Sequence, residues 1–425
     1  MLEFRSYFGP IVYRLGHKLF KLGSRVRLPV GSPMRILSIE TSCDETAVSL
    51  LSIAGDANSP GIKTLGNALF SQVNLHAQYG GVYPNLAKRE HQKNLIPLFR
   101  SVLTESKSLK SSQKKIVVSA KTKKILEREP ELLRQFLDFL PTIRKPKIDA
   151  IAVTTGPGLE PALWVGISFA KALGNYWNIP VIPINHMEGH IMSVLFEADK
   201  AKGRNEIRIN YPLIALLISG GHTELVYAQK PLKYKSLGQT RDDAVGEAYD
   251  KVARMLDLPY PGGPEVSRLA EEARKLGIQD TKLKFPRPMI NSKDLDFSFS
   301  GLKTSVLYFI DGRKLSRRKK MEIAREFEDA VTEVLLRKTQ LALLSKHAKT
   351  LVVGGGVIAN SHIRESLKDL VKNLPNTKLL IPTRELSTDN SKMIGVTAYI
   401  HLMLGPKRSK KKGAFSARGN LRLSS

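Results

Sequence analysis

Cysteine is all but missing from this chain of 425 residues, with Cys43 as its one example. A disulfide framework and a cysteine-based zinc module are therefore excluded. Such usage fits a reducing compartment or the mitochondrial matrix. Acidic side chains are scarce: 39 Asp and Glu stand against 67 Lys and Arg, a net charge of +28. No apolar run reaches the roughly 18 residues that cross a bilayer, so no membrane-spanning segment is expected. Glycine (31) and proline (23) follow no collagen-like period. The rest is ordinary, 42% hydrophobic and 25% charged, which excludes wholesale disorder. At roughly 100–200 residues per domain, the length holds two domains or one duplicated one.

The excess of positive charge points to a polyanionic partner, most simply nucleic acid. It is unevenly placed. Residues 1–33 carry Arg5, Arg14, Lys18, Lys21, Arg25 and Arg27 against Glu3 alone. Residues 105–147 are Lys- and Ser-rich, and 405–425 hold basic residues with no acid. The first segment has apolar residues at near-helical spacing, best over 11–22 because Gly9-Pro10 would break a helix. It reads as a matrix-targeting presequence, with an ordinary first helix as the alternative.

The chain divides into a presequence (1–33), a first lobe (34–209) with a basic insert (105–147), a second lobe (210–404) and a basic tail (405–425). Residues 34–39 and 47–51 read as a hairpin around the polar tip Glu40 to Glu45. A helix is expected over 85–99, one helix in the insert near 130–140, a strand at 149–154 and a helix over 162–177. A strand at 181–184 leads into a helix from Met187. The plan then restarts: a strand at 213–218, an antiparallel return at 224–228, and a strand at 350–353 running into Gly354-Gly355-Gly356. Two halves with one plan predict a duplicated α/β fold with a cleft between lobes.

His186 and His190 are four apart. On a helix they lie about 40° from each other on one face, which is metal-ligand spacing. Two unrelated surface histidines are the bland alternative. Glu188 falls about 200° round the helix from His186. It cannot serve as the base of a His-Glu-x-x-His zinc protease, where Glu directly follows the first His. Two imidazoles need a carboxylate, and Asp389 is the best candidate, although a helix N-cap explains it as well. Two His and one carboxylate suit zinc or iron. Glycine turns at Gly156-Pro157-Gly158, Ser219-Gly220-Gly221, Pro261-Gly262-Gly263-Pro264 and Gly354-Gly355-Gly356 suit a nucleotide-type ligand, because glycine lets backbone N–H groups approach a phosphate. Asp250 could hold ribose hydroxyls or be a solvated carboxylate. Asp44 and Glu45 could do acid or base work or simple turn chemistry.

Eight runs occur in order: IETSCDET at 39–46, HAQYGG at 76–81, GPGL at 156–159, HMEGH at 186–190, SGGHT at 219–223, YPGGP at 260–264, DFSFSGLKT at 296–304 and TDN at 388–390. With them the chain resembles the TsaD family of tRNA N6-threonylcarbamoyladenosine synthases, once called glycoproteases, over about residues 34–402. The presequence makes it similar to the mitochondrial members. The resemblance implies a duplicated actin/Hsp70/sugar-kinase (ASKHA) fold. It implies transfer of a threonylcarbamoyl group from threonylcarbamoyl-adenylate, made by a separate partner synthase, to N6 of the adenosine 3′ of the anticodon. The tRNAs are those reading codons that begin with A. His186, His190 and Asp389 would bind one divalent cation. Leu217, Ile218, Ser219, Gly220, Gly221, Asp250, Gly263, Asn360 and Thr388 would bind the adenylate, with Ser267 one turn past Gly263. Asp44 and Glu45 would be needed for transfer, and the protein would be a homodimer of the mitochondrial matrix. Asn85, Pro161 and Ser391-Lys392 depart from the family pattern without touching a named ligand. A metallopeptidase and a non-catalytic nucleotide- or nucleic-acid-binding protein are the competing readings.

Overall fold

A computed structural model describes residues 20–22, 26–28, 32–113, 117–197, 207–405 and 415–423. Strands β1 (Phe20–Leu22) and β2 (Val26–Leu28) pair as a short antiparallel hairpin. The expected helix over 11–22 thus lies mostly outside the described residues, and its last three form a strand.

The first lobe is built on β3 (Met34–Glu40), β4 (Glu45–Asp56), β5 (Ser59–Ser71), β6 (Ala150–Gly156) and β7 (Val181–Asn185), in the order β5-β4-β3-β6-β7. The second carries β8 (Leu213–Ile218), β9 (Thr223–Lys230), β10 (Lys233–Gln239), β11 (Thr350–Gly354) and β12 (Lys378–Leu380), in the order β10-β9-β8-β11-β12. In each sheet the first three strands are an antiparallel meander and the last two run parallel to the first. This repeated order is the two-lobed actin/Hsp70/sugar-kinase arrangement. The interior strands β6 and β8 are buried along their whole length, as strands covered on both faces must be.

Each sheet has its own core. A third apolar cluster joins Ile36, Leu51 and Ile53 of the first sheet to Leu213, Ala215 and Val226 of the second. The helices His186–Met192 and Ser391–Leu404 are packed into it. Gly395 lets the latter helix approach closely, since a Cβ there would lie 2.5 Å from Leu51 Cδ1. The segment preceding this helix is thereby carried over to the first sheet.

Among its described residues the insert has two α-helices, Ala120–Ile125 and Pro130–Phe139, rather than the single helix expected. Ser119 caps the extra one by accepting from Thr122 N at 3.2 Å. Leu126, Leu132, Phe136 and Leu140 join the first core, so the insert is packed despite its polar composition.

Candidate metal and transfer site

Strand β7 ends in Asn185, whose Oδ1 accepts from Met187 N at 2.8 Å and caps the helix His186–Met192. His186 and His190 then project from consecutive turns. Asp389 sits just ahead of the helix Ser391–Leu404, but Asn390 is the residue that caps it, accepting from Met393 N at 3.0 Å. Asp389 is thus released from the capping role. Its Oδ1 lies 3.2 Å from Nε2 of both His186 and His190. The two Nε2 atoms are 3.1 Å apart, and the three donor atoms lie within 4.8 Å of one another.

Behind His186 stands Glu40, the last residue of β3 and wholly buried. His186 Nδ1 donates to its Oε2 at 3.0 Å, which leaves the Nε2 lone pair for a cation. Thr154 Oγ1 and Ser42 N also donate to Glu40, both at 2.6 Å. Burial disfavours the charged His186 imidazole, but Asp389 and Glu40 outweigh it and hold its pKa well up. Burial would raise Asp389 too, yet the two imidazoles keep it well below the usual carboxylate range. Burial lowers His190, and among the described residues its Nδ1 has no partner. Two imidazole nitrogens and one carboxylate oxygen aimed at one point fit a borderline divalent cation. No role was assigned to Glu40 from the sequence; an acid closing an otherwise apolar strand was the available signal. Glu40→Gln is expected to weaken metal binding about 10–100-fold in a competitive chelator titration. Unchanged affinity would remove Glu40 from the site.

Glu188 faces away from the three donors. It accepts from Tyr234 Oη at 2.9 Å and pairs with His401 Nε2 at 2.7 Å, anchoring the helix on its far side. Glu188 therefore cannot act as the base that a His-Glu-x-x-His peptidase sets directly beside its metal.

Ser42 connects this cluster to the hairpin tip. Its hydroxyl is 3.2 Å from His186 Nδ1 and donates to Asp389 Oδ2 at 3.5 Å. Asp44 and Glu45 follow two and three residues later. Burial, then the charges of Asp44 and Asp389, push the Glu45 carboxyl well up. Burial likewise raises the Cys43 thiol, which argues against a thiolate nucleophile. The tip is held from below by His91, which donates Nε2–H to Cys43 O at 3.0 Å and accepts from Thr46 Oγ1 at 2.7 Å. Burial lowers His91 to about 4, so the ring is neutral, as these bonds require. Gln72 N donates to Asp44 O at 3.0 Å, and His76 bonds Gln72 Oε1 at 3.1 Å. This network accounts for the histidine of the HAQYGG run.

The glycine turns divide into two kinds. Gly220, Gly221 and Gly356 have open space where a Cβ would be. Gly355, at φ +95°, allows β11 to approach β8, since a Cβ there would lie 2.4 Å from Ile218 O. The Gly156-Pro157-Gly158 turn, by contrast, is covered by the chain's own residues 415–423. Arg418 N donates to Thr155 O at 2.9 Å and Gly158 N to Gly419 O at 3.0 Å. A Cβ on Gly156 would lie 2.0 Å from Arg418 O. This turn is shaped for chain packing, which corrects its expected place among the phosphate-facing turns.

A family model described as "TsaD: tRNA N6-adenosine threonylcarbamoyltransferase" matches residues 63–121 and 126–396. The chain belongs to the TsaD family. The tRNA N6-adenosine threonylcarbamoyltransferase of Nitrosomonas europaea is 39% identical over 392 residues, covering 91% of this chain and 99% of its own. That of Persephonella marina is 40% identical over 398 residues, covering 92% and 95%. Among solved structures, HypF of T. kodakarensis covers 90% of this chain and 51% of its own, at TM-score 0.48 and 14% identity.

In this TsaD chain the residues assigned to the adenylate by resemblance run from the end of β8 to Thr388, and part of them form a rim of turns and helix starts. Leu217 and Ile218 bury their side chains at the end of β8, where Leu217 is paired to both β9 and β11 and Ile218 to β9, and the Ser219–Gly221 turn follows at the end of the strand. Gly246 packs on this turn, a Cβ there lying 2.7 Å from Ser219 O. Asp250 Oδ1 accepts from Gly262 N at 2.8 Å and Gly263 N at 3.2 Å. One of its oxygens is therefore engaged by the backbone. Ser267 is half-buried further along the helix Gly262–Lys275. Asn360 caps its own helix through Ile363 N at 3.0 Å and donates Nδ2 to buried Glu328. Thr388 is exposed beside Asp389. Tyr260 lies within electrostatic reach of both Asp44 and Asp250: burial, then these charges, raise its phenol.

Proposed function

We propose that this chain transfers the threonylcarbamoyl group of threonylcarbamoyl-adenylate to N6 of the adenosine 3′ of the anticodon, in mitochondrial tRNAs reading codons that begin with A. The observation that carries this is the convergence of His186, His190 and Asp389 beside the Asp44–Glu45 tip, bordered by the rim of open glycines. The three residues would hold one divalent cation, zinc or iron. Such an ion supplies charge stabilisation at the carbamoyl oxygen or the phosphate.

The rest falls to the protein. Ser219 N is held within its turn by His222 O at 2.8 Å, so the N–H groups of Gly220 and Gly221 would meet the phosphate, and Asp250, Gly263, Ser267, Asn360 and Thr388 would border the nucleoside. The N6 lone pair attacks the carbamoyl carbon, and the bond to the phosphate oxygen of AMP breaks. The electron pair leaves on AMP, and Glu45 takes the N6 proton, with Asp44 setting its basicity. N6 is a weak nucleophile, so positioning dominates the rate. Positive charge along the insert and tail draws the tRNA in.

The donor would come from a separate synthase, the working form would be a homodimer, and residues 1–33 would direct it to the mitochondrial matrix. The lobes and tail would divide as 34–209, 210–404 and 405–425. No helix of the described residues is long and apolar enough to cross a membrane. The deciding experiment supplies metal-loaded protein, the adenylate and unmodified tRNA, then reads threonylcarbamoyladenosine by nucleoside mass spectrometry. Modified adenosine at the position after the anticodon is expected. Hydrolysis of the adenylate with no modified nucleoside would overturn the proposal.

A further inference from the structure

Tyr79 and Tyr83 are large aromatic side chains left 61% and 56% exposed, and Leu75 beside them is 37% exposed. Their rings lie 6.0 Å apart at 31°, so they form one tilted surface. An exposed apolar patch of this kind marks a binding surface. It is also held in place. Tyr83 N donates to His76 Nδ1 at 3.2 Å, and Tyr79 N to His76 O at 2.9 Å. Arg254, from the second lobe, donates Nη2 to Gly80 O at 2.6 Å and pins the loop between the two tyrosines.

The patch is continuous with the transfer tip. The loop that carries it begins at Ser71 and Gln72, which bond Glu45 Oε1 at 3.3 Å and Asp44 O at 3.0 Å. Its rim is polar, with Gln78, Asn85 and Arg89 exposed. The chain carries +28 in all, which suits a polyanion. Single-stranded RNA loops are recognised by stacking unpaired bases on aromatic rings, and each ring works for any base.

We propose that Tyr79 and Tyr83 form a stacking platform for an unpaired base of the RNA loop that presents the target adenosine. This rests on the RNA acyl-transfer reading above. The occupant is a nucleobase because the tip that the platform adjoins acts on one. The platform orients the loop and takes no part in bond making.

The test compares wild type with Tyr79→Ala, Tyr83→Ala, the double variant, and Tyr79→Trp with Tyr83→Trp. An anticodon stem-loop RNA with 2-aminopurine flanking the target adenosine is the probe. The double alanine variant is expected to raise KM for the RNA about tenfold or more. It should relieve the quenching of 2-aminopurine and leave kcat and donor affinity nearly unchanged. The tryptophan variants should restore both readouts. The salt slope of RNA binding should not move, because no phosphate contact is lost. Unchanged KM and quenching in the double alanine variant would overturn the proposal. So would a loss that accompanies a change in sedimentation, which would assign the patch to a contact between copies of the chain. Wild type that binds and quenches the RNA yet transfers nothing would overturn the acyl-transfer reading alone.

Discussion

Asp389→Ala is expected to reduce metal content from about one ion per chain to a small fraction, and transfer by roughly 10³-fold or more. Asp389 is the carboxylate of the three-donor set, and its Oδ1 faces both imidazoles at 3.2 Å. Its loss leaves two neutral nitrogens, a poor site for a hard or borderline cation. The fold should survive, because Asn390 and not Asp389 caps the following helix. Elemental analysis after dialysis and nucleoside mass spectrometry measure the two effects. A variant that keeps both metal and rate would place the ligand set elsewhere. Metal binding should also weaken as pH falls, since protons compete for the imidazole nitrogens.

Glu45→Gln is expected to slow transfer about 10²- to 10⁴-fold, the usual worth of a positioned base. Adenylate and RNA affinities should change far less. The pH profile carries the sharper signature. Glu45 is pushed up by burial and by Asp44 and Asp389, and it must be ionised to accept the N6 proton. Wild-type kcat should rise with pH through that elevated pKa, and the glutamine variant should lose this limb. Asp44→Asn should move the limb to lower pH, because one source of the upward push is gone. The stability sign is the reverse. A carboxyl whose folded pKa is raised favours folding while protonated, and that contribution disappears as pH rises through the folded pKa. Denaturant unfolding should therefore show wild type losing stability relative to Glu45→Gln as pH increases. A profile identical in the two proteins would remove Glu45 as the base.

Short apolar runs made β3, β6, β8 and β11 readable along the chain, and the restart at Leu213 disclosed the duplication. Strands β5 and β10 escaped because, at the outer edges of their sheets, they are largely polar and glycine-containing and have neither an apolar run nor a clean alternation. The insert's first helix escaped for a related reason. Its Lys-rich turns look solvated, while the bond of Thr122 to Asn175 and the burial of Leu126 depend on contacts with other segments. At the site, the family resemblance reached Asp44, Glu45 and Asp389 by motif. It said nothing of Glu40 or His91, whose roles rest on partners distant along the chain.

The pairing of His186 with His190 was determined by the sequence alone, because four residues make about one helical turn whatever the surroundings. The same arithmetic turned Glu188 away from the face that His186 and His190 share. Tertiary packing decided what such local rules cannot reach. The helix Ser391–Leu404 lies on β3 and β4 through Gly395, and that placement brings Asp389 to the histidines. The docking of residues 415–423 on Gly156 and the contact of Arg254 with Gly80 are likewise meetings of distant segments. Each depends on shape and burial summed over the whole fold, and no spacing within a single segment encodes it.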